Sequence, residues 1–196
     1  DKGVNRIIAY EEDGITYEPD PRHAELIIKQ LGLEKSNSVK TPGTKDDEYV
    51  KDEDEELDEE GAHMYKSIVA RCNYLALDRS DIQYAVKECC RGMSKPTNRD
   101  YLKLKRIGRY LKHRPRAVIE YPWQPETREL RIYTDANWAG DKRTRKSTSG
   151  GTTFIGNHFI KSWSKTQSVI ALSSAESELY GAIKAASEGL GHMSLM

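Results

Sequence analysis

The chain has 196 residues with 31 basic and 31 acidic side chains, so its net charge is zero and the total charge selects no class of partner. Hydrophobic residues make up 37% and charged residues 32%, which predicts a small core together with partial disorder or a partner that completes the fold. No apolar run approaches the roughly 20 residues that span a bilayer, which favours a soluble protein. The three cysteines include an adjacent pair, Cys89 and Cys90, which argues against a disulfide framework and favours a reducing compartment.

Residues 1–35 predict a hairpin followed by a helix. Apolar and polar side chains alternate on both sides of a turn at Asp13-Gly14. Asp20 is a candidate cap at the helix start, and Gly32 marks the helix end. Residues 36–60 follow with few apolar side chains and a run of acidic ones that repel one another, which predicts a mobile acidic linker.

Residues 61–121 are dominated by helical periodicity. Ser80 with Gln83, and Thr97 with Asp100, have the spacing of capping boxes at two helix starts. Apolar side chains recur at helical spacing and are predicted to face the core: Cys89, Leu104, Ile107 and Leu111. Basic side chains flank the last three of these: Lys103, Lys105, Arg106, Arg109 and Lys112. This basic face is either a solvated helix surface or a surface that follows a nucleic-acid phosphate backbone, and charge alone leaves both readings open.

Residues 122–128 contain two prolines and predict a linker, and a second domain is predicted at 129–196. Its first strand ends near Asp135. Two further strands, at 148–155 and 158–163, are separated by Gly156-Asn157, a strong hairpin turn. Ser173 with Glu176 then predicts a helix start. Small residues on that helix form a predicted packing stripe that contains one charge: Ala175, Glu178, Ala182, Ala185 and Gly189.

Asp135 and Glu178 are the candidate functional pair. One lies at the exit of a strand and the other on the packed face of a helix. Paired carboxylates commonly hold Mg²⁺ beside substrate phosphates, which makes this a candidate metal site. From spacing alone, two carboxylates so far apart in sequence are also compatible with unrelated surface charges.

Four ordered motifs in the second domain resemble the ribonuclease H of copia-type retrotransposon polyproteins. They are Tyr133 with Asp135-Ala136 and Trp138-Ala-Gly140, then Arg145 with Ser147-Thr-Ser-Gly150, then Ser162-Trp-Ser-Lys165 with Gln167, and Ala171-Leu-Ser-Ser174 with Glu176 and Glu178. The preceding region is similar to the end of the reverse transcriptase of the same type, through Tyr74-Leu75, Asp81-Ile82, Met93-Ser94, Pro96-Thr97 and Leu104-Lys-Arg-Ile-Gly-Arg-Tyr-Leu-Lys112.

The resemblance implies a mixed α+β and α/β architecture. We expect the end of a polymerase palm at 1–35, a helical thumb or connection segment at 61–121, and a ribonuclease H-like domain at 129–196 with three antiparallel strands and a helix, incomplete at its C-terminus. It implies that Asp135 and Glu178 are catalytic metal ligands for Mg²⁺, with Mn²⁺ as a substitute. The implied partners are an RNA/DNA hybrid and the remainder of the Pol polyprotein, in the cytoplasm, in virus-like particles or in the nucleus.

The resemblance also implies parts that match nothing in this sequence. The family's catalytic set has four carboxylates, of which two are matched, and the polymerase's Tyr-x-Asp-Asp turn has no counterpart. We therefore expect the chain to be inactive or impaired by itself. A nucleic-acid-binding module without catalysis and a degenerate remnant of a retrotransposon are the alternatives.

Overall fold

The computed structural model describes residues 6–44 and 55–196. These residues form two compact units. The N-terminal unit contains the chain up to Ala9 and Tyr17–Val118, and the C-terminal unit contains Tyr10–Thr16 and Ile119–Met196. Within the described part, no helix is long and apolar enough to cross a membrane.

The first sheet and four helices come from residues 7–122. Strands β1 (Ile7–Tyr10), β2 (Gly14–Glu18) and β3 (Ile119–Pro122) lie in that order in one sheet. The helices are α1 (Pro21–Gln30), α2 (Glu59–Leu75), α3 (Gln83–Arg91) and α4 (Asn98–His113). The predicted hairpin around Asp13-Gly14 is confirmed, because the turn lies between β1 and β2.

Buried side chains from all four helices form the core of the N-terminal unit. The fully buried members include Ile27, Tyr65, Ile68, Val69, Cys72, Ile82, Cys89, Leu104, Ile107 and Leu111. The inward orientation predicted for α4 is thus confirmed. Two helix starts are also confirmed: the Asp20 carboxylate accepts from the Arg22 backbone N–H, and Thr97 with Asp100 forms a complete capping box.

Two local predictions in this region are wrong. Ser80 does not cap α3: residues Ser80–Ile82 form a 3-10 turn, and α3 begins at Gln83 with no side-chain hydrogen bond from its N-cap residue, Ile82. The end of the predicted helical region is strand β3, which begins at the β-branched Ile119, a residue that favours extended backbone.

Part of the predicted mobile linker is held against α4. The Val39 N–H donates to the Arg109 carbonyl at 3.3 Å, and α2 begins at Glu59, inside the range assigned to the linker. The acidic residues 45–54 lie outside the described residues. The segment at 36–44 therefore belongs to the packed N-terminal unit.

The C-terminal unit contains a second sheet and a long helix. Strands β4 (Leu130–Asn137), β5 (Thr148–Ile155) and β6 (His158–Thr166) pair antiparallel in this order, and α5 (Ser174–Met193) follows. The hairpin between β5 and β6 turns at Gly156, whose φ of 57° is readily adopted only without a Cβ. Three antiparallel strands followed by a helix were predicted, and the structure confirms them.

Helix α5 packs closely on β4 through small residues. A Cβ on Gly181 would lie 3.2 Å from Thr134 Oγ1, and one on Gly189 would lie 2.8 Å from Ile132 Cδ1. The buried stripe is Ser177, Gly181, Ala185 and Gly189, so the prediction is wrong for Ala175 and Ala182, which are exposed. Ser177 was overlooked as polar, but its hydroxyl donates to the Ser174 carbonyl at 2.8 Å and can therefore be buried.

Candidate functional site

Strand β4 carries Asp135 two residues before its end. Thr134 and Ile132 contact α5, and successive side chains of a strand point to opposite faces. Asp135 therefore lies on the face of the sheet that α5 does not cover, where its side chain is exposed. In the register of the sheet, Asp135 lies opposite Gly150, which has no side chain to cover the carboxylate.

Glu178 reaches the same end of β4 from α5. Its Oε1 accepts the backbone N–H of Ala136 at 3.1 Å, although the two residues are 42 positions apart in sequence. β4 is an edge strand, so some of its N–H groups have no partner strand, and Glu178 satisfies one of them. The structure thus places the Glu178 carboxylate on the residue that follows Asp135.

Polar contacts around these two residues fasten the start of α5 to the sheet. The buried Gln167 amide donates to Ser149 Oγ at 2.9 Å and to the Ser177 carbonyl at 2.8 Å, which links β5 to α5. At the end of β4, Trp138 Nε1 donates to the Ala171 carbonyl at 3.0 Å. The Gln167 bonds attach α5 to β5, and the Trp138 bond attaches the segment before α5 to the end of β4. Together they hold α5 where Glu178 can reach β4.

The start of α5 follows the predicted cap in part. The Ser173 hydroxyl accepts from the Glu176 N–H at 3.1 Å, as expected. The Glu176 carboxylate accepts from the Leu172 N–H at 2.7 Å, one residue earlier than a capping box requires. Glu176 is thereby engaged at the helix start.

Asp135 and Glu178 offer carboxylate oxygens, which are the ligand type that a hard cation such as Mg²⁺ takes. Asp135 is exposed, and Glu178 has a second oxygen besides the one bound to Ala136. Mg²⁺ is commonly held by one or two carboxylates, with water and phosphate oxygens completing the shell. Among the residues that the structure describes, no group of three or more His, Cys, Asp or Glu side chains could hold a metal. Two ions would need further carboxylates.

The basic face of α4 is largely engaged within the N-terminal unit. Arg106 donates to Thr41 Oγ1 at 2.8 Å, and Arg109 donates to the Asn37 carbonyl at 2.7 Å. Lys112 Nζ donates to three backbone carbonyl oxygens, those of Leu33 at 3.5 Å, Glu34 at 2.5 Å and Ser36 at 2.6 Å. Lys105 lies over the Tyr101 ring, 4.8 Å from its centroid, and Lys103 is half-buried.

These contacts change what the basic face can offer to a nucleic acid. Three of its cations donate to segment 33–41, so a phosphate would have to compete with bonds that hold this segment in place. Nucleic-acid binding by α4 stays a prediction. Sequence patterns gave no signal for the engagement, because the accepting residues lie 65 to 79 positions away in a stretch that resembles a linker.

A second group of basic residues near Asp135 was not selected from the sequence. The connection between β4 and β5 contains four cations within five residues: Lys142, Arg143, Arg145 and Lys146. Only Arg145 had been noted, as part of a motif. The local charge density predicts this group, because four of five successive residues are basic, although the net charge of the whole chain is zero.

Comparison with known proteins gives three informative relatives. The chain is 40% identical over 124 residues to the retrovirus-related Pol polyprotein from transposon RE1 of Arabidopsis thaliana, and 37% identical over 124 residues to that from transposon RE2. Each match covers 63% of this chain and 8% of the relative, so the chain spans a small part of these polyproteins. A third relative, secreted RxLR effector protein 161 of Plasmopara viticola, is 34% identical over 127 residues, which cover 64% of this chain and 89% of that protein. No family model and no solved structure matches the chain.

Proposed function

We propose that the chain is a fragment of a copia-type retrotransposon Pol polyprotein, in which it joins the end of a reverse transcriptase to the first part of a ribonuclease H. In this proposal, the C-terminal unit takes part in metal-dependent hydrolysis of the RNA strand of an RNA/DNA hybrid. The partners are the hybrid and the remainder of the polyprotein.

The observation that carries the proposal is the contact of Glu178 with the backbone of Ala136. Helix α5 approaches β4 closely only because Gly181 and Gly189 lack side chains. That approach brings a carboxylate from a distant part of the chain to the backbone of the residue that follows Asp135. An unrelated surface charge would stay exposed to solvent. Glu178 is instead half-buried at the free edge of the strand that carries Asp135.

The side chains would divide the work according to their exposure. Asp135 is open to a phosphodiester approaching the uncovered face of the sheet, whereas Glu178 is anchored through one oxygen. Together they would hold Mg²⁺, which supplies positive charge for the phosphate oxygens and for the leaving oxygen of the hydrolysis. Carboxylates from elsewhere in the polyprotein would complete a two-ion site, so we propose weak or no cleavage by this chain alone.

Binding of Mn²⁺, followed by electron paramagnetic resonance, tests the site without requiring turnover. The wild-type chain, Asp135→Asn and Glu178→Gln are compared with Glu126→Gln, which removes an exposed carboxylate outside the site. We expect one Mn²⁺ bound by the wild type and by the control, and at least tenfold weaker binding by the other two variants. Equal binding by all four proteins contradicts the proposal.

Cleavage of a labelled RNA/DNA hybrid in Mg²⁺ is the second measurement. Any cleavage that belongs to this site must disappear in Asp135→Asn and persist in Glu126→Gln. Cleavage that is equal in wild type and Asp135→Asn comes from a contaminating nuclease. If the chain binds the hybrid and Mn²⁺ but does not cleave, the isolated chain acts as a nucleic-acid-binding module without catalysis. Catalysis then requires further carboxylates from the polyprotein.

A further inference from the structure

The connection between β4 and β5 is the most concentrated positive surface of the C-terminal unit. We call residues 142–146 the basic loop. Lys142, Arg143 and Arg145 are exposed, and Lys146 is half-buried. The ladder between β4 and β5 ends at the pair Asn137 and Thr148, so the loop extends from the end of β4 that carries Asp135.

The basic loop is ordered by its own hydrogen bonds. The Asp141 carboxylate accepts from the backbone N–H groups of Arg143 at 3.0 Å and of Thr144 at 3.3 Å, and it also accepts from the Thr144 hydroxyl. The Arg145 N–H donates to the Asp141 carbonyl at 2.7 Å, and the Asp141 N–H donates to the Lys146 carbonyl at 3.2 Å. A surface whose backbone is already ordered loses less conformational entropy when it binds.

The two arginines of the loop differ from those of α4. Among the residues that the structure describes, neither the Arg143 nor the Arg145 guanidinium has an ion-pair or hydrogen-bond partner. Arg145 has a φ of 59°, a conformation that is uncommon for a residue with a Cβ. The loop thus holds two uncompensated guanidinium groups at the surface, whereas Arg106 and Arg109 of α4 donate to segment 37–41.

We propose that the basic loop binds the phosphate backbone of an RNA/DNA hybrid at the Asp135 end of β4. This inference rests on the proposed function, and it assigns the backbone contact to the loop in preference to α4. Guanidinium groups bind phosphate through paired N–H donors. Carboxylates repel a polyanion, so a nucleic acid that approaches Asp135 and Glu178 requires cations nearby, and the basic loop, which follows the Asp135 end of β4, supplies them.

The test is fluorescence anisotropy of a labelled RNA/DNA hybrid with the whole chain in EDTA, between 50 and 200 mM NaCl. Without a divalent ion there is no cleavage, and the loop contact requires no metal. The loop variant combines Arg143→Gln with Arg145→Asn, because asparagine tolerates a positive φ. The matched control combines Lys66→Gln with Arg128→Gln, which removes the same charge from exposed positions that do not belong to the loop.

Loss of two phosphate contacts should lower the slope of log K against log salt by about 1.8, since each contact contributes about 0.9 on duplex DNA. Over the fourfold salt range, the wild type should therefore lose about 12-fold more affinity than the loop variant. The control should keep the wild-type slope. Thermal unfolding of each variant confirms that the fold is retained.

Each other outcome overturns the inference in a distinguishable way. If the wild type binds the hybrid and the loop variant matches it in slope, the loop is not the contact, and the proposed function remains. If both double variants lose the same slope, the effect is one of total charge and the assignment to the loop fails. If the wild type does not bind at 50 mM NaCl, the loop inference fails, and the Mn²⁺ measurement decides the proposed metal site separately.

Discussion

Removal of the Glu178 carboxylate should destabilise the C-terminal unit as well as weaken metal binding. The bond from the Ala136 N–H to Glu178 Oε1 is 3.1 Å long and partly buried, and its acceptor is charged. A hydrogen bond to a charged group contributes about 1.5 to 3 kcal/mol, and partial access of water places this one near the lower end. Glu178→Ala should therefore lower the free energy of unfolding by about 1.5 kcal/mol, roughly tenfold in the unfolding equilibrium.

Tryptophan fluorescence during urea unfolding measures this change selectively. The three tryptophans of the chain, Trp123, Trp138 and Trp163, all lie in the C-terminal unit. With an m-value of about 1.5 kcal/mol per M, the midpoint should fall by about 1 M urea. Ser187→Ala, an exposed substitution on the same helix, controls for the change in helix propensity.

Glu178→Gln separates the two roles of the side chain. Glutamine keeps an acceptor oxygen for the Ala136 N–H but removes the charge, so its midpoint should lie between those of the wild type and Glu178→Ala. Its metal affinity should fall as far as that of Glu178→Ala. If both variants unfold at the same urea concentration as the wild type, Glu178 does not stabilise the edge of β4, and the geometric argument for the site is refuted.

Two further predictions concern charges outside the site. Lys161 and Lys184 donate hydrogen bonds to Glu188 and lower its pKa from 4.5 to about 2. The stability that this carboxylate contributes is therefore present above about pH 4.5 and is lost as pH falls toward 2. Glu188→Gln should reduce the dependence of the unfolding free energy of the C-terminal unit on pH in this range, and an unchanged dependence contradicts the prediction. In the N-terminal unit, the buried Arg79 forms an ion pair with Asp81 at 2.7 Å. Arg79→Met leaves Asp81 without this partner and should lower the free energy of unfolding, measured by circular dichroism in urea, by about 3 to 5 kcal/mol. A decrease below about 1 kcal/mol contradicts a stabilising role of the pair.

Sequence patterns predicted the elements whose signals are local. The turn at Gly156-Asn157 and the capping box of Thr97 with Asp100 each depend on side chains and backbone within a few residues, and the structure confirms them. The same reasoning failed at Ser80, because residues Ser80–Ile82 form a 3-10 turn and the α-helix begins only at Gln83. A local motif predicts a cap only when its first residue directly precedes the α-helix.

The candidate site required information that a single sequence carries only weakly. The positions of Asp135 and Glu178 on a strand and a helix followed from periodicity, but the bond from Glu178 to the residue after Asp135 depends on the close contact between α5 and β4. The buried face of α5 was predicted correctly at Ala185 and Gly189 but not toward the start of the helix, where Ser177 is buried because its hydroxyl donates to the Ser174 carbonyl. Charge on α4 was equally ambiguous, since its partners lie in a segment without regular secondary structure.

Metal binding and edge protection need not compete for Glu178. A carboxylate has two oxygens with about four acceptor positions, so Oε1 can keep the Ala136 N–H while the other oxygen coordinates a cation. The bond then restricts the orientation of the carboxylate before metal arrives, which reduces the entropy lost on coordination. The same bond protects an exposed strand edge from pairing with other chains. Retention of the carboxylate thus has a structural reason as well as a chemical one, and Glu178→Gln separates them, because glutamine keeps an acceptor oxygen for the Ala136 N–H and removes the charge that binds a cation.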